Sequence, residues 1–246
     1  MSPPALSGDI AFVLDLDGTL LEHEAHPQAV SISAGLLRLL DDLRAASGGA
    51  LALISGRAIA DIDRLFAPLT LPAAGQHGME LRLASGALRR HAPATELLRR
   101  ATSAVELVAA AHPGLLFEDK GISMALHYRH APQMQHTLAR AMRNITASLG
   151  DEFVLQEGKF VFELKPSGRD KGTAIVEFIR EAPFAGRLPV FVGDDLTDEH
   201  GFEAVNALGG HSVKVGPGES HARWRLADTA AVLAWLEEYA IGATRT

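Results

Sequence analysis

Phe12-Val13-Leu14-Asp15-Leu16-Asp17-Gly18-Thr19-Leu20 is the stretch on which the reading of this chain turns. A run of β-forming apolar residues stops at two carboxylates two positions apart, followed by a glycine and a hydroxyl. At the carboxyl end of a buried strand, Asp15 would project from the sheet edge. A turn at Gly18 would bring the backbone amides, Asp17 and Thr19 to the same crevice. Such a turn suits a metal and a phosphate held beside a carboxylate nucleophile. Taken by itself, the stretch also fits a strand that leaves into an ordinary polar turn, because Asp and Gly are common turn residues.

The residues beyond Leu20 have the texture of a parallel α/β fold. Leu36, Leu39, Leu40 and Leu43 recur at helical spacing between Ser33 and Ala46, Gly48-Gly49 ends that helix, and Ala50 to Ile54 reads as a second buried strand. Strand, helix and strand in this order predict a parallel pair with a right-handed crossover. Ser55-Gly56-Arg57 comes next, then a short helix carrying Ile59, Ile62 and Phe66. From about Gly78 short alternating segments replace this pattern: Glu80 to Leu83, Ala87 to His91, Leu115 to Glu118, Ile122 to Arg129, and a hairpin of Phe153 to Gln156 with Lys159 to Lys165. Two helices interrupt them, one with Leu98, Ala101, Val105 and Val108 on a face, the other with Met134, Leu138, Met142, Ile145 and Leu149. This predicts an α+β module of residues 78–165 inserted into an α/β domain of residues 1–77 and 166–246. The parallel pattern then returns with a helix at 172–181, a strand at Leu188 to Val192 ending in Gly193-Asp194-Asp195, a helix at 199–208, a short strand at Ser212 to Val215 and a closing helix at 227–239.

Composition narrows the chemistry. The 246 residues are 47% hydrophobic and 22% charged, enough for one large or two modest cores. The net charge of −7 with no basic run, and only 6% aromatic residues, argue against a nucleic-acid partner. The absence of cysteine excludes disulfides, thiolate zinc sites and a cysteine nucleophile. A metal must therefore be held by oxygen or imidazole, and oxygen ligands favour Mg2+. No signal-like start or membrane-length apolar run is present, so a cytoplasmic protein, free of membranes and monomeric, is expected.

Four polar clusters now fall at strand ends or helix starts: Asp15/Asp17/Thr19, Ser55/Arg57, Lys171, and Asp194/Asp195/Asp198. Singly, each has an ordinary explanation as a turn, a helix cap or a solvated charge. In this order, DxDGT, SGR, Lys-Gly and GDDxTDE resemble the haloacid dehalogenase (HAD) superfamily of phosphotransferases over about Ala11 to Tyr239. The resemblance implies a Rossmann-like core with an inserted cap. It also implies that Asp15 is the nucleophile forming an aspartyl-phosphate, and that Asp17 protonates the leaving alcohol and then activates water. The residue chemistry agrees. Transfer from a dianionic ester needs in-line attack and neutralised oxygens. Magnesium between Asp15, the Asp17 carbonyl and Asp194 would reduce the repulsion between nucleophile and phosphate. Thr19 and Ser55 offer hydroxyls, and Lys171 a point charge, to the phosphate. Asp195 and Asp198 are placed one step out, tuning the metal and positioning Lys171.

The 35 residues from Leu20 to Ile54 leave no room for a lid, whereas the 115 from Gly56 to Asp170 hold the module. A cap there can close over a site, exclude water and read the leaving group. Its strand alternation puts Phe160, Phe162 and Leu164 on one face, with Lys159 and Glu163 on the other. Ile122, Met124, Leu126 and Tyr128 likewise share a face, leaving Arg129 opposite. By pattern alone those charges also fit a solvated sheet face. Glu118-Asp119-Lys120-Gly121, His127-Tyr128-Arg129 and Gly158 to Glu163, with Gln76-His77-Gly78 and Gly193 to Glu199, are similar to the motifs of trehalose-6-phosphate phosphatases. That resemblance implies sugar or phosphate contacts from Glu118, Lys120, Arg129, Lys159 and Glu163. Arg57 is counted with these substrate-binding candidates, and His77 and Gly78 are expected near the junction with the core. The competing expectations are a phosphatase for sucrose phosphate or a mannosyl phosphoglycerate, a phosphomutase, or a regulatory protein that binds a sugar phosphate without turnover.

Overall fold

A computed structural model describes residues 1–22, 32–158 and 160–244. In chain order the elements are β1 (Ile10–Asp15), α1 (Ala34–Ala46), β2 (Leu51–Ile54), α2 (Ile59–Phe66), β3 (Ala73–Gly75), β4 (Glu80–Arg82) and β5 (Leu88–Arg90). Next come α3 (Thr95–Ala110), β6 (Leu116–Asp119), β7 (Met124–His127), α4 (Gln135–Ser148), β8 (Phe153–Gly158) and β9 (Val161–Pro166). The chain ends with α5 (Lys171–Ile179), β10 (Leu188–Gly193), α6 (Glu199–Ala207), β11 (His211–Val215), β12 (Trp224–Leu226) and α7 (Thr229–Thr244). Two compact units result, one of residues 1–89 and 170–246, the other of residues 90–169.

The first unit is organised by an eight-stranded sheet in the order β12-β11-β10-β1-β2-β3-β4-β5. From β12 to β3 every pairing is parallel, and β4 runs antiparallel to β3. A parallel sheet is buried on both faces, and the alternation of β1 serves both. Phe12 and Leu14 join Leu36, Leu40, Leu53, Val192 and Leu236 in one apolar layer. Val13 joins Ile54, Ile175, Phe178, Phe191 and Phe202 in the other. Local signals set the helix starts. Ser33 accepts a hydrogen bond from the Leu36 amide at 3.1 Å to cap α1, and Asp170 forms a reciprocal capping box with Thr173 at α5.

Register then decides what meets at the sheet edge. Leu14 lies beside Val192, Asp15 beside Ile54, Gly193 beside Lys214, and Ile54 beside Ala74. Asp15, Ser55, Asp194 and Lys214 therefore emerge side by side at the carboxyl ends of adjacent strands, where open α/β sheets bind ligands.

The sequence grouped the segments at Glu80 and Ala87 with the inserted module. Their strands β4 and β5 instead extend the large sheet, because β4 pairs directly with β3 through Gly75↔Glu80 and Ala73↔Arg82.

The second unit is a four-stranded antiparallel sheet in the order β6-β7-β9-β8. Helices α3 and α4 cover one face, where Ala101, Val105, Leu138 and Met142 pack with Met124, Leu126, Tyr128, Phe162 and Leu164. The second hairpin strand starts at Val161 rather than Lys159, since Phe160 takes a left-handed φ of 61° in the turn. Its carbonyl accepts from the Tyr128 amide at 2.9 Å, and its ring meets Tyr128 edge-on at 5.9 Å, which holds the turn against the sheet.

Candidate active site

Asp15 closes β1 and is buried, as is Lys171 at the first turn of α5. The Lys171 Nζ donates to Asp15 Oδ1 and to Asp198 Oδ1, each at 2.7 Å. An ammonium has three donors, so two hold carboxylates and a third is left for a further oxygen acceptor. Burial favours the protonated form of Asp15 and raises its pKa well above the usual carboxylate range; Asp198 adds to this and Lys171 opposes it. Burial alone would depress the Lys171 pKa, but Asp15 and Asp198 outweigh it and raise it, so Lys171 stays a cation. Asp198, buried and only partly relieved by Lys171, is pushed up to about 6.

The loop after β10 is built around Asp198. Its Oδ2 accepts from the amides of Asp194 and Asp195, both at 2.9 Å. Gly193 makes that approach available, since a Cβ there would lie 2.3 Å from the Asp198 carboxyl carbon. Asp195 is turned into the short helix beyond it, where its Oδ1 accepts from the Thr197 amide at 2.8 Å and from the Thr197 hydroxyl. Of the two residues expected to position Lys171, Asp198 does so directly, while Asp195 secures the loop.

Gly18 at φ 87° turns the chain after Asp17, and its amide donates to the Leu21 carbonyl at 2.7 Å. Behind the turn, Thr19 is fully buried and its hydroxyl has no hydrogen-bond partner among the described residues. Leaving a buried hydroxyl unpaired costs about 1–3 kcal/mol, which an incoming oxygen ligand would recover. Ser55 is buried at the end of β2, its Oγ accepting from the Arg57 amide at 3.1 Å. The Arg57 guanidinium lies on Asp17, with Nε 2.7 Å from Oδ2 and Nη2 2.5 Å from Oδ1. The Gln76-His77-Gly78 turn locks this loop. The Gln76 amide donates to the Arg57 carbonyl at 2.8 Å and the His77 amide to the Ser55 carbonyl at 3.0 Å. All three turn residues have positive φ, a conformation sustained only where surrounding structure enforces it.

Lys214 was not foreseen from sequence. It is buried in β11, and its Nζ donates to the Asp194 carbonyl and, at 3.2 Å, to the Val215 carbonyl. A charge between Val213 and Val215 at the end of a buried strand is the signal that would have found it.

Carboxylate oxygens of Asp15, Asp194 and Asp198 come within 4.8 Å of one another. Asp198 spends both oxygens on Lys171 and two amides, so Asp15 and Asp194 are the better ligands of the three. An all-oxygen donor set of this kind fits a hard divalent cation.

In the second unit, register lines up Glu118, Ala125, Glu163 and Gln156 across one face of the sheet. Glu163 is buried, and its Oε1 accepts from Ser123 Oγ at 2.9 Å and Lys120 Nζ at 3.3 Å. Glu118 pairs with His127 Nε2 at 2.8 Å, and that bond draws its pKa down. That face thus carries two polar groups, Glu163 with Ser123 and Lys120, and Glu118 with His127; Ser123 is a member the sequence did not single out. Arg129 stands apart, exposed, its guanidinium 5.9 Å from the Phe160 ring. Lys159 lies outside the described residues.

A buried aspartate at the end of the first parallel strand, a lysine bridging it to an acidic loop, and a hydroxyl from the neighbouring strand define a phosphatase of the HAD fold. Solved structures agree. The chain superposes with a TM-score of 0.80 on a trehalose-6-phosphate phosphatase related protein, at 27% identity over 96% of this chain and 99% of that one. A Bacteroides thetaiotaomicron phosphatase of the haloalkanoate (HAD) superfamily shares the fold at a TM-score of 0.61 and 14% identity, over 96% and 95% of the two chains. The trehalose-phosphatase family model matches residues 13–230, and the chain belongs to that family. It is 47% identical to the trehalose-6-phosphate phosphatase of Escherichia coli (strain K12), over 95% of this chain and 88% of the relative. It is 42% identical to a probable trehalose-phosphate phosphatase of Sinorhizobium fredii, over 87% and 81%. Among the described residues no helix is long and apolar enough to cross a membrane.

Proposed function

We propose that this chain hydrolyses trehalose 6-phosphate to trehalose and inorganic phosphate through an aspartyl-phosphate at Asp15. The observation that carries the substrate is the 47% identity to the E. coli enzyme, which runs through both units rather than the core alone. The buried Asp15–Lys171–Asp198 cluster supports the chemistry.

An Asp15 carboxylate oxygen attacks phosphorus, the bond from phosphorus to the sugar oxygen breaks, and Asp17 gives that oxygen a proton. Water then attacks the acyl phosphate, Asp17 takes the proton, and phosphate leaves with Asp15 restored. Lys171, Ser55 and Thr19 donate to the transferring oxygens, and Asp198 keeps Lys171 aimed while limiting its freedom to wander. Asp15, Asp194 and the Asp17 carbonyl would hold Mg2+, which when bound neutralises charge on nucleophile and phosphate. Asp195 acts one step out, by fixing the loop that presents Asp194.

Glu118, Lys120, Arg129, Lys159 and Glu163 recognise the sugar. The network around Glu163 supports this, because carboxylates and ammoniums already paired to each other can exchange those bonds for sugar hydroxyls without leaving a charge uncovered. The enzyme works as a cytoplasmic monomer on a small molecule, an assignment that gel filtration and fractionation check. Phosphate release from trehalose 6-phosphate, sucrose phosphate, a mannosyl phosphoglycerate and glucose 6-phosphate, with and without Mg2+, tests the substrate. Trehalose 6-phosphate is expected to lead by a wide margin, and parity with glucose 6-phosphate would refute the assignment.

A further inference from the structure

We infer that Arg57 is a positioning residue for Asp17: its guanidinium fixes the carboxylate that moves the proton, and it acts on the reaction through that carboxylate rather than by contacting substrate. The inference rests on the phosphatase reading, in which Asp17 is the acid and base.

Three observations carry it. The contact is two-pronged, Nε to Oδ2 at 2.7 Å and Nη2 to Oδ1 at 2.5 Å, so both carboxylate oxygens are tied to one rigid plane. The arginine is itself anchored at both backbone ends: its amide donates to Ser55 Oγ at 3.1 Å and its carbonyl accepts from Gln76 at 2.8 Å. Its side chain is only 15% exposed, so the fork has little room to swing. Gly75 belongs to the same anchor, because a Cβ there would come 2.9 Å from the Arg57 carbonyl.

The backbone of Asp17 is held separately by the Gly18-to-Leu21 hydrogen bond and a bridge between Asp17 and Leu21. What the turn leaves undetermined is rotation about the two side-chain torsions of Asp17. A planar fork removes that freedom in a way a point charge does not. Proton transfer to an alkoxide leaving group needs the acid within about 3 Å of it, so an aspartate sampling several rotamers spends little time in reach. Asp17 lies two residues from Asp15 on one turn, and Arg57 comes from the next strand, 40 positions away. The sheet brings the proton carrier and its support together only when β1 and β2 are paired in register.

A double-mutant cycle on the full-length enzyme tests this, with kcat/KM for trehalose 6-phosphate measured on wild type, Arg57→Ala, Asp17→Asn and the double variant. Removing Arg57 should lower kcat/KM about 10- to 100-fold, within the range general acid catalysis supplies, and should cost nothing further once Asp17 is Asn. With p-nitrophenyl phosphate, whose leaving group needs no proton, Arg57→Ala should cost less than about threefold. Equal losses from Arg57→Ala in both Asp17 backgrounds would overturn the inference and make Arg57 a substrate contact. Arg57→Lys, which keeps the charge and loses the fork, serves as the parallel variant if the alanine form does not fold, and is expected to give the same pattern. Should wild type fail to cleave trehalose 6-phosphate, the substrate assignment fails by itself, and the cycle is run on whichever sugar phosphate it does cleave.

Discussion

The polar cluster at the ends of β1, β2 and β10 and the polar row on β6, β7 and β9 are built on different principles. In the first, Asp15, Lys171 and Asp198 are all buried, and Lys171 reaches across 156 residues to Asp15 and 27 to Asp198, fixed by parallel register. In the second, Glu118, His127 and Glu163 come from one short antiparallel sheet and Lys120 and Ser123 from the turn joining β6 to β7, and their pairs range from buried Glu163 to largely exposed Glu118. Buried charges at fixed distances favour one charge distribution and tolerate little change, which suits a transition state. Half-exposed pairs exchange partners at small cost, which suits recognition of a polyhydroxylated ligand. On the proposed function, the reaction is fixed in the first region and the substrate is chosen in the second.

The largest break should come from the first region. Asp15→Asn removes the proposed nucleophile while keeping its shape, and should lower kcat by at least about a thousandfold with the fold retained by circular dichroism. Substantial residual turnover would remove Asp15 from its role. Lys171→Met should abolish measurable activity too, and should also destabilise by about 3–5 kcal/mol, because Asp15 and Asp198 lose the cation they are buried with. Urea denaturation reads the second effect, and an unchanged midpoint would mean that water reaches the pair.

The second region should respond in binding instead. Glu163→Ala is expected to raise KM for trehalose 6-phosphate about tenfold while changing KM for p-nitrophenyl phosphate little. Equal effects on both substrates would place Glu163 outside sugar recognition, and the contrast between the regions would lose its basis.

The smallest effect is a pH dependence. Without metal the pKa of Asp198 lies near 6 rather than at the ordinary carboxylate value, so the folded chain keeps a proton that the unfolded chain has lost. The contribution of this group to stability is therefore full at acid pH and lost as pH rises through about 6. A cation favours the ionised carboxylates, so Mg2+ should raise Tm little near pH 5 and by a few degrees above about pH 6.5. Thermal melts in EDTA and in Mg2+ across that range measure the difference, and a Mg2+ shift independent of pH would contradict it.

Much of the first region was legible because its chemistry sits at strand ends that announce themselves. The apolar run into Asp15, Ser55 after Leu51 to Ile54, and Asp194 after Leu188 to Val192 each mark a strand terminus by an abrupt change of polarity. What escaped depends on register. Nothing local says that Lys214 meets the Asp194 carbonyl, or that Arg57 meets Asp17, since both need neighbouring strands paired at one offset. The strands β4 and β5 were misplaced for a related reason: short alternating segments look alike whether they extend the large sheet or begin another. In the second unit, alternation correctly sorted Met124, Leu126, Phe162 and Leu164 from Glu163, but could not say that Ser123 and Lys120 would converge on one of its oxygens.

On the proposed function, the phosphoryl group passes through Asp15. Rapid quenching of the enzyme during turnover of trehalose 6-phosphate, with peptide mass spectrometry of the quenched protein, tests it directly. A single phosphoryl group is expected on the peptide carrying Asp15, lost in Asp15→Asn. Turnover with no phosphoryl enzyme, or a phosphoryl group on any other residue, would rule out Asp15 as the phosphoryl carrier.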